Sequence, residues 1–300
     1  GATIREPLVA ILPDDEFARH EGRLNDGVLG KDIYARFVVD IEYARRRLTL
    51  RNPAAWAYHG TGIAIPLHVI ANGTAAWMPA RITFPGVPPI DVRLAIDVGT
   101  YSALRFYSPF VKQHHLIAEF GPNAVPSYGF GLGGEFPVRV VRTETLAVGP
   151  SLSVAHPVAE LSLADSGATT GSTVDGTIGG AILSCFHVIV DYTHARMILE
   201  PNGRTCAAPD ADMSGLVLDA GGPGLKLITV GHVLDGTPAA QAGFREGDRL
   251  VSIDSAAVDT LGLLRVQTLL SHPATYRVSV ERSGATRDLV LRTQSLIDRP

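Results

Sequence analysis

DGTIGGAILSCFHVIVDYTHARMIL, residues 175–199, repeats a pattern that the chain already carries at residues 26–50, DGVLGKDIYARFVVDIEYARRRLTL. The segments are offset by 149 residues, and nine of 25 aligned positions are identical. These are Asp26/Asp175, Gly27/Gly176, Gly30/Gly179, Ile33/Ile182, Phe37/Phe186, Val39/Val188, Tyr43/Tyr192, Arg47/Arg196 and Leu50/Leu199. Many of the other positions exchange one apolar residue for another. A repeat of this length predicts a duplicated structural unit. Each copy opens on a triplet ending in glycine, Val28-Leu29-Gly30 or Thr177-Ile178-Gly179. A short helix-like segment, a strand, a turn and a second strand should follow.

Upstream of the second copy, Asp91 to Ile96 alternates as a strand does and runs into Ala95-Ile96-Asp97-Val98-Gly99-Thr100. By itself Asp-x-Gly is a common turn. Combined with the repeated triplet, it resembles the catalytic turn of aspartic proteases, Asp-Thr/Ser-Gly. In that family the apolar triplet lies behind the turn and braces it. The chain resembles bacterial aspartyl proteases of the retropepsin-like type, with two lobes and a C-terminal PDZ domain. The resemblance implies a mainly β fold, a retropepsin-like β-barrel lobe plus a partial first lobe. It implies Asp97 as a catalytic carboxylate and Val98, Gly99, Thr100, Ile178 and Gly179 as its active-site loop. It implies no cofactor and no metal. Val98 departs from the family pattern, because valine lacks the hydroxyl that Thr or Ser sends across to the opposite loop.

Such chemistry needs two carboxylates about 3 Å apart that share one proton and activate a water. Only one Asp-x-Gly turn accompanies the two triplets. It lies 78 residues before Asp175, and the same distance before Asp26 falls at position −52, ahead of Gly1. The expectation is that the front half of lobe one, with the second carboxylate, lies outside these residues. Divergence of the first lobe is the alternative.

Composition sets the outer limits. The chain has 300 residues, 46% apolar and 19% charged, enough for two or three globular domains. A net charge of −4 argues against a nucleic-acid partner. No apolar run approaches the roughly 20 residues of a membrane helix. Two cysteines, Cys185 and Cys206, are too few for a disulfide scaffold; Cys185 reads as a packed thiol. Asn72-Gly73-Thr74 fits a glycosylation triplet but reads as a plain turn.

Along the chain, 1–53 reads as the C-terminal half of a first lobe, 63–203 as a second lobe and 214–300 as a further domain. In that last part Gly236 to Asp254 reads GTPAAQAGFREGDRLVSID. This closely resembles the bacterial PDZ pattern (S/T)-P-A-x-x-A-G-x-x-x-G-D-x-hydrophobic. Pro238 opens a short helix, Gly243 stops it, and Gly247-Asp248 turns the chain into a strand. Leu261 to Leu270 is the expected groove helix. The resemblance implies that Gly215, Leu216 and Val217 contact an added peptide strand, with backbone N–H groups of the loop held out to its carboxylate.

The run Gly129-Phe130-Gly131-Leu132-Gly133-Gly134 formally matches G-x-G-x-x-G. A dinucleotide loop would need a helix after it; an alternating strand follows instead, so a flap-like hairpin fits better, with Tyr128 and Phe130 as substrate contacts. The ten histidines show no metal spacing, and no G-x-S-x-G elbow occurs. The expected function is an aspartic endopeptidase of the bacterial envelope, periplasmic or secreted, whose PDZ domain captures a polypeptide substrate or a protein C-terminus. The alternative is a pseudoprotease scaffold that binds peptides without cleaving them.

Overall fold

The computed structural model describes residues 15–70, 75–131, 134–149, 151–204 and 212–297. Asn72-Gly73-Thr74, Cys206, Leu132 and Gly133 lie outside these residues, as do residues 205–211 between the second lobe and the further domain. The fold is mainly β.

The two copies of the repeat meet in one sheet. Its strands run in the order Arg47–Arg51, Val38–Glu42, Phe186–Asp191, Arg196–Pro201, Ile63–Pro66. Each copy supplies a hairpin, and the central strands pair antiparallel, Val39 with Val190, Asp40 with Ile189 and Ile41 with Val188. The short helices Lys31–Tyr34 and Gly180–Leu183 also fall at equivalent repeat positions. The duplicated unit expected from the sequence is therefore present as a pair related by an approximate two-fold axis. Alternating β-branched residues suit these strands; Val38, Val188, Val190 and Ile198 are fully or almost fully buried.

Among the described residues a second sheet has ten strands, nine of them in one hydrogen-bonded path. It contains Ala76–Thr83, Ile90–Asp97, Gly176–Gly179, Leu104–Phe106, Val158–Ser162, Gly134–Arg142 and Val125–Gly131, in that order from strand to strand. Its core is aromatic and aliphatic. Phe84, Phe106, Leu94, Leu104, Leu161 and Ile178 show at most 1% exposure, each such side chain contributing about 1.5–3 kcal/mol by leaving water. Phe106 stacks on Phe110 of the helix Ser108–Gln113 at 4.9 Å. Pro109 sits in the first turn of that helix, where its missing N–H costs nothing.

Residues 216–291 supply a separate core cluster. Their sheet runs Leu216–Gly221, Leu227–Val233, Arg249–Ile253, Thr275–Arg282, Ala285–Arg292, with helices Pro238–Ala242 and Leu263–Leu270. Gly243 closes the first helix in the left-handed region, φ 85°. The groove helix begins at Leu263 rather than Leu261, because Gly262 breaks the chain from a preceding helix, Val258–Leu261.

Candidate functional site

Strand Ile90–Asp97 delivers Asp97 to its C-terminal end, and strand Gly176–Gly179 lies parallel beside it, with Gly179 opposite Asp97 and Ile178 opposite Ile96. The latter strand also pairs antiparallel with Leu104–Phe106, so it is wedged between the two arms of the Asp97 loop. The space is tight. A Cβ on Gly179 would stand 2.2 Å from the carbonyl oxygen of Ser102 and 2.5 Å from Cγ2 of Thr100. Gly180 N–H donates to Thr100 O at 2.9 Å, and Gly179 N–H to Ala103 O at 2.9 Å. The loop turns by itself through the Asp97 side chain, whose Oδ1 accepts Gly99 N–H at 3.0 Å. Val98 is half-buried and packs against the lobe core, so the position that lacks a hydroxyl supplies apolar contact instead.

Three tyrosines feel the charge of this carboxylate. Burial pushes the phenols of Tyr34 and Tyr43 up to about 12, with Asp97 adding to the rise in both. Burial followed by Asp97 raises Tyr107 too. The Tyr43 hydroxyl is buried without a hydrogen-bond partner. Among the described residues no second carboxylate is hydrogen-bonded to Asp97.

In the first copy the corresponding triplet forms no strand and, among the described residues, braces no loop. Val28 is 90% exposed and Leu29 67%, whereas Ile178, the mate of Leu29, is fully buried. A Cβ on Gly30 would meet no atom within 4 Å.

Residues Val125–Gly131 and Gly134–Arg142 form the expected hairpin, but its rings have other neighbours. Tyr128 stacks on His232 of the C-terminal sheet at 4.0 Å, and Phe130 stacks on His20 at 3.5 Å. His232 also meets Glu135 at 2.8 Å through Nε2. The hairpin is therefore tied to helix Asp15–Glu21 and to the sheet beyond it, and its two rings do not stand free over Asp97. Arg105 joins the two regions, pairing with Glu160 at 2.6 Å and donating to Phe130 O at 3.4 Å.

On the joint sheet, His187 bridges two carboxylates that sequence reasoning did not single out. Its Nε2 is 2.6 Å from Asp40 and its Nδ1 2.7 Å from Glu200. Arg51 Nε donates to Asp40 at 2.7 Å, and Tyr58 donates to Glu200. Burial alone would lower the imidazole, but the hydrogen bonds to Asp40 and Glu200 outweigh it and hold it above its ordinary value. Asp40, Glu42 and His187 offer ligand atoms within 4.8 Å of one another, enough to enclose a cation. Arg51 already neutralises Asp40, and Arg45 and Arg47 neutralise Glu42, so the donor set is that of an ion-pair network.

In the C-terminal sheet, Leu216–Gly221 is an edge strand facing the helix Leu263–Leu270. Leu216, Leu218, Leu263, Val266 and Leu270 are buried in the same core cluster. Gly215 has φ 80°, and a Cβ there would strike the Thr237 side chain. Val217 is half-buried on the edge strand. The amides of this loop are occupied from within. Ser214 N–H and Gly215 N–H donate to Asp212 Oδ2, the Ser214 hydroxyl donates to Asp212 Oδ1 at 2.6 Å, and Leu216 N–H donates to Ser214 Oγ at 3.0 Å. Asp212 keeps part of its surface in solvent while its carboxyl is enclosed by the loop; burial, only partly offset by these donors, pushes that carboxyl up to about 6.

Residues 229–282 match the family model of the PDZ domain, and a PDZ domain is therefore part of this chain. No curated protein matches it. Among solved structures it is similar to a photosystem II D1 C-terminal processing protease, 32% identical over 30% of this chain and 25% of that one, TM-score 0.27. The match spans about a quarter of that protein's length. A retropepsin-like aspartic protease from Rickettsia conorii is 12% identical over 48% of this chain and 94% of that one, TM-score 0.31. The HtrA-type protease AlgW with decapeptide is 13% identical over 82% and 84%, TM-score 0.27. At these TM-scores the likenesses carry no argument about function. No helix among the described residues is long and apolar enough to cross a membrane.

Proposed function

We propose that this chain carries one catalytic half of an aspartic-type endopeptidase of the bacterial envelope, periplasmic or secreted, and holds polypeptide near it through the PDZ groove. The observation that carries the reading is the parallel pairing that sets Gly179 opposite Asp97, with Gly179 packed against Ser102 and Thr100. A carboxylate held at a strand end by its own loop amide is placed to share a proton with a second one. That second carboxylate comes from an upstream half-lobe, whose loop the exposed Val28-Leu29-Gly30 triplet braces as Thr177-Ile178-Gly179 braces Asp97. A PDZ groove adds a strand of ligand to its sheet edge.

The test is peptide hydrolysis at mildly acidic pH. The chain alone should show little or none, and the chain extended by its upstream half should cleave and lose activity with Asp97→Asn. Cleavage by the 300-residue chain alone, abolished by Asp97→Asn, would overturn the need for a second half. An inactive extended protein would favour the second reading, a non-catalytic scaffold that binds peptides. The lack, among the described residues, of a carboxylate hydrogen-bonded to Asp97, and the valine at 98, are the observations that favour it.

A further inference from the structure

We propose that the PDZ groove reads internal polypeptide segments bearing a basic side chain, not free C-termini, and that Asp212 and Asp219 decide this. The inference rests on the peptide-binding reading of the groove given above and specifies its ligand.

The first observation is at the head of the groove. A free C-terminus would need the amides of Ser214, Gly215 and Leu216. The first two already donate to the Asp212 carboxylate, and the third donates to Ser214 Oγ, which itself donates to Asp212. The chain has thus placed its own carboxylate where a terminal carboxylate would go. These contacts span only two or three residues, so they close with little loss of chain entropy. An incoming terminus would have to evict Asp212 or lie beside it, like charge against like charge. An internal segment brings no such charge.

The second observation is independent and lies further along the edge strand, where the groove region already holds a segment of this chain. Helix Asp15–Glu21 packs beside Leu216–Gly221. His20 Nδ1 is 2.9 Å and Arg19 Nε 3.5 Å from Asp219 Oδ1. Ala18 is buried, and Gly22 approaches Leu263, the first residue of the groove helix, so closely that a Cβ would stand 2.6 Å from Leu263 Cβ. The resident segment is internal, and it offers basic side chains to Asp219. A substrate segment with the same character would replace it.

The experiment uses the full chain with Arg19→Glu and His20→Glu, which sets like charge against Asp219 and frees the groove. A short fluorescent peptide with a central arginine and an apolar last residue is made as free acid and as C-terminal amide, along with an amide in which alanine replaces the arginine. Binding is followed by anisotropy. The amide should bind at least as tightly as the acid, and losing the arginine should weaken it by about tenfold. Asp212→Ala should then tighten the acid by about tenfold relative to the amide. Asp212→Asn, which keeps an acceptor for the loop amides, should give a smaller shift of the same sign and covers the case in which alanine unfolds the loop. A tenfold preference for the acid with Asp212 present, or an acid-to-amide ratio that neither Asp212 variant moves, overturns the inference while leaving peptide binding intact. No binding of any probe to any variant overturns both this inference and the peptide-binding reading.

Discussion

Asp40 and Ile189 lie opposite one another in adjacent antiparallel strands, and each holds the same place in its own copy of the repeat. The approximate two-fold axis therefore passes between them. On either side Val39 faces Val190 and Ile41 faces Val188, pairs that the axis exchanges.

The two copies differ in what their glycines must tolerate, and this gives a paired prediction. Gly179→Ala forces a Cβ to 2.2 Å from Ser102 O, a backbone atom that cannot swing away. Overpacking of this kind costs about 1–3 kcal/mol or more. Gly30→Ala meets nothing within 4 Å, and the φ of Gly30 is −100°, accessible to alanine. Urea unfolding should show a lowered midpoint for the first variant and at most a small change for the second. Equal loss in both would contradict the packing described.

His187 predicts a pH dependence. Its folded pKa is raised above the ordinary 6.5 by Asp40 and Glu200. The stabilisation is thus fully present below about pH 6.5 and is lost as pH rises through the folded value. Thermal unfolding should fall across that window, and His187→Gln should flatten the fall. An unchanged pH profile in the variant would remove the imidazole from the joint's energetics.

Asp248 is fully buried and is held by Arg282 through contacts of 2.6 and 2.7 Å. Burial would raise its pKa, but Arg282 and the Arg245 amide lower it below the ordinary value. Its contribution is present above about pH 4 and disappears as pH falls through the depressed folded pKa. Arg282→Met leaves a buried charge without its partner and should cost about 3–5 kcal/mol in the PDZ domain. Chemical denaturation monitored at the PDZ domain measures this; a loss under about 1 kcal/mol would mean that water replaces the guanidinium.

Tyr43 keeps a buried hydroxyl without a hydrogen-bond partner. Tyr43→Phe removes the unmet polar group and keeps the ring, so stability should hold or rise by about 1 kcal/mol. A clear loss would show that the hydroxyl has a partner in solution.

Much of this architecture is legible in the sequence. The repeat predicts the paired hairpins because strand alternation and turn residues are local properties, and both copies carry them. The pairing of Asp97 with Gly179 follows from two short motifs. Pro238, Gly243 and Gly247-Asp248 mark the PDZ helix and turn through backbone preferences alone. What escapes is decided by distance. His187 finds Asp40 across 147 positions, and nothing near either residue announces it. The rings of Tyr128 and Phe130 read as substrate contacts because His20 and His232 come from remote parts of the chain. Asp212 is local to its loop, yet its role depends on the loop's folded shape.

The joint sheet also has a consequence for how this molecule is held as one chain. In a symmetric pair of units identical to the first copy, Asp40 would face a second Asp40 across the axis, charge against charge, and Val38 would stand in the place of His187. In the single chain those places hold Ile189 and His187, so the carboxylate faces an aliphatic neighbour and takes the imidazole as its ion-pair partner. That arrangement requires the two copies to differ, and two independently folding identical chains cannot supply the difference. An axis of unequal halves is thus open to two copies of different sequence, as in this chain, and closed to a pair of identical ones.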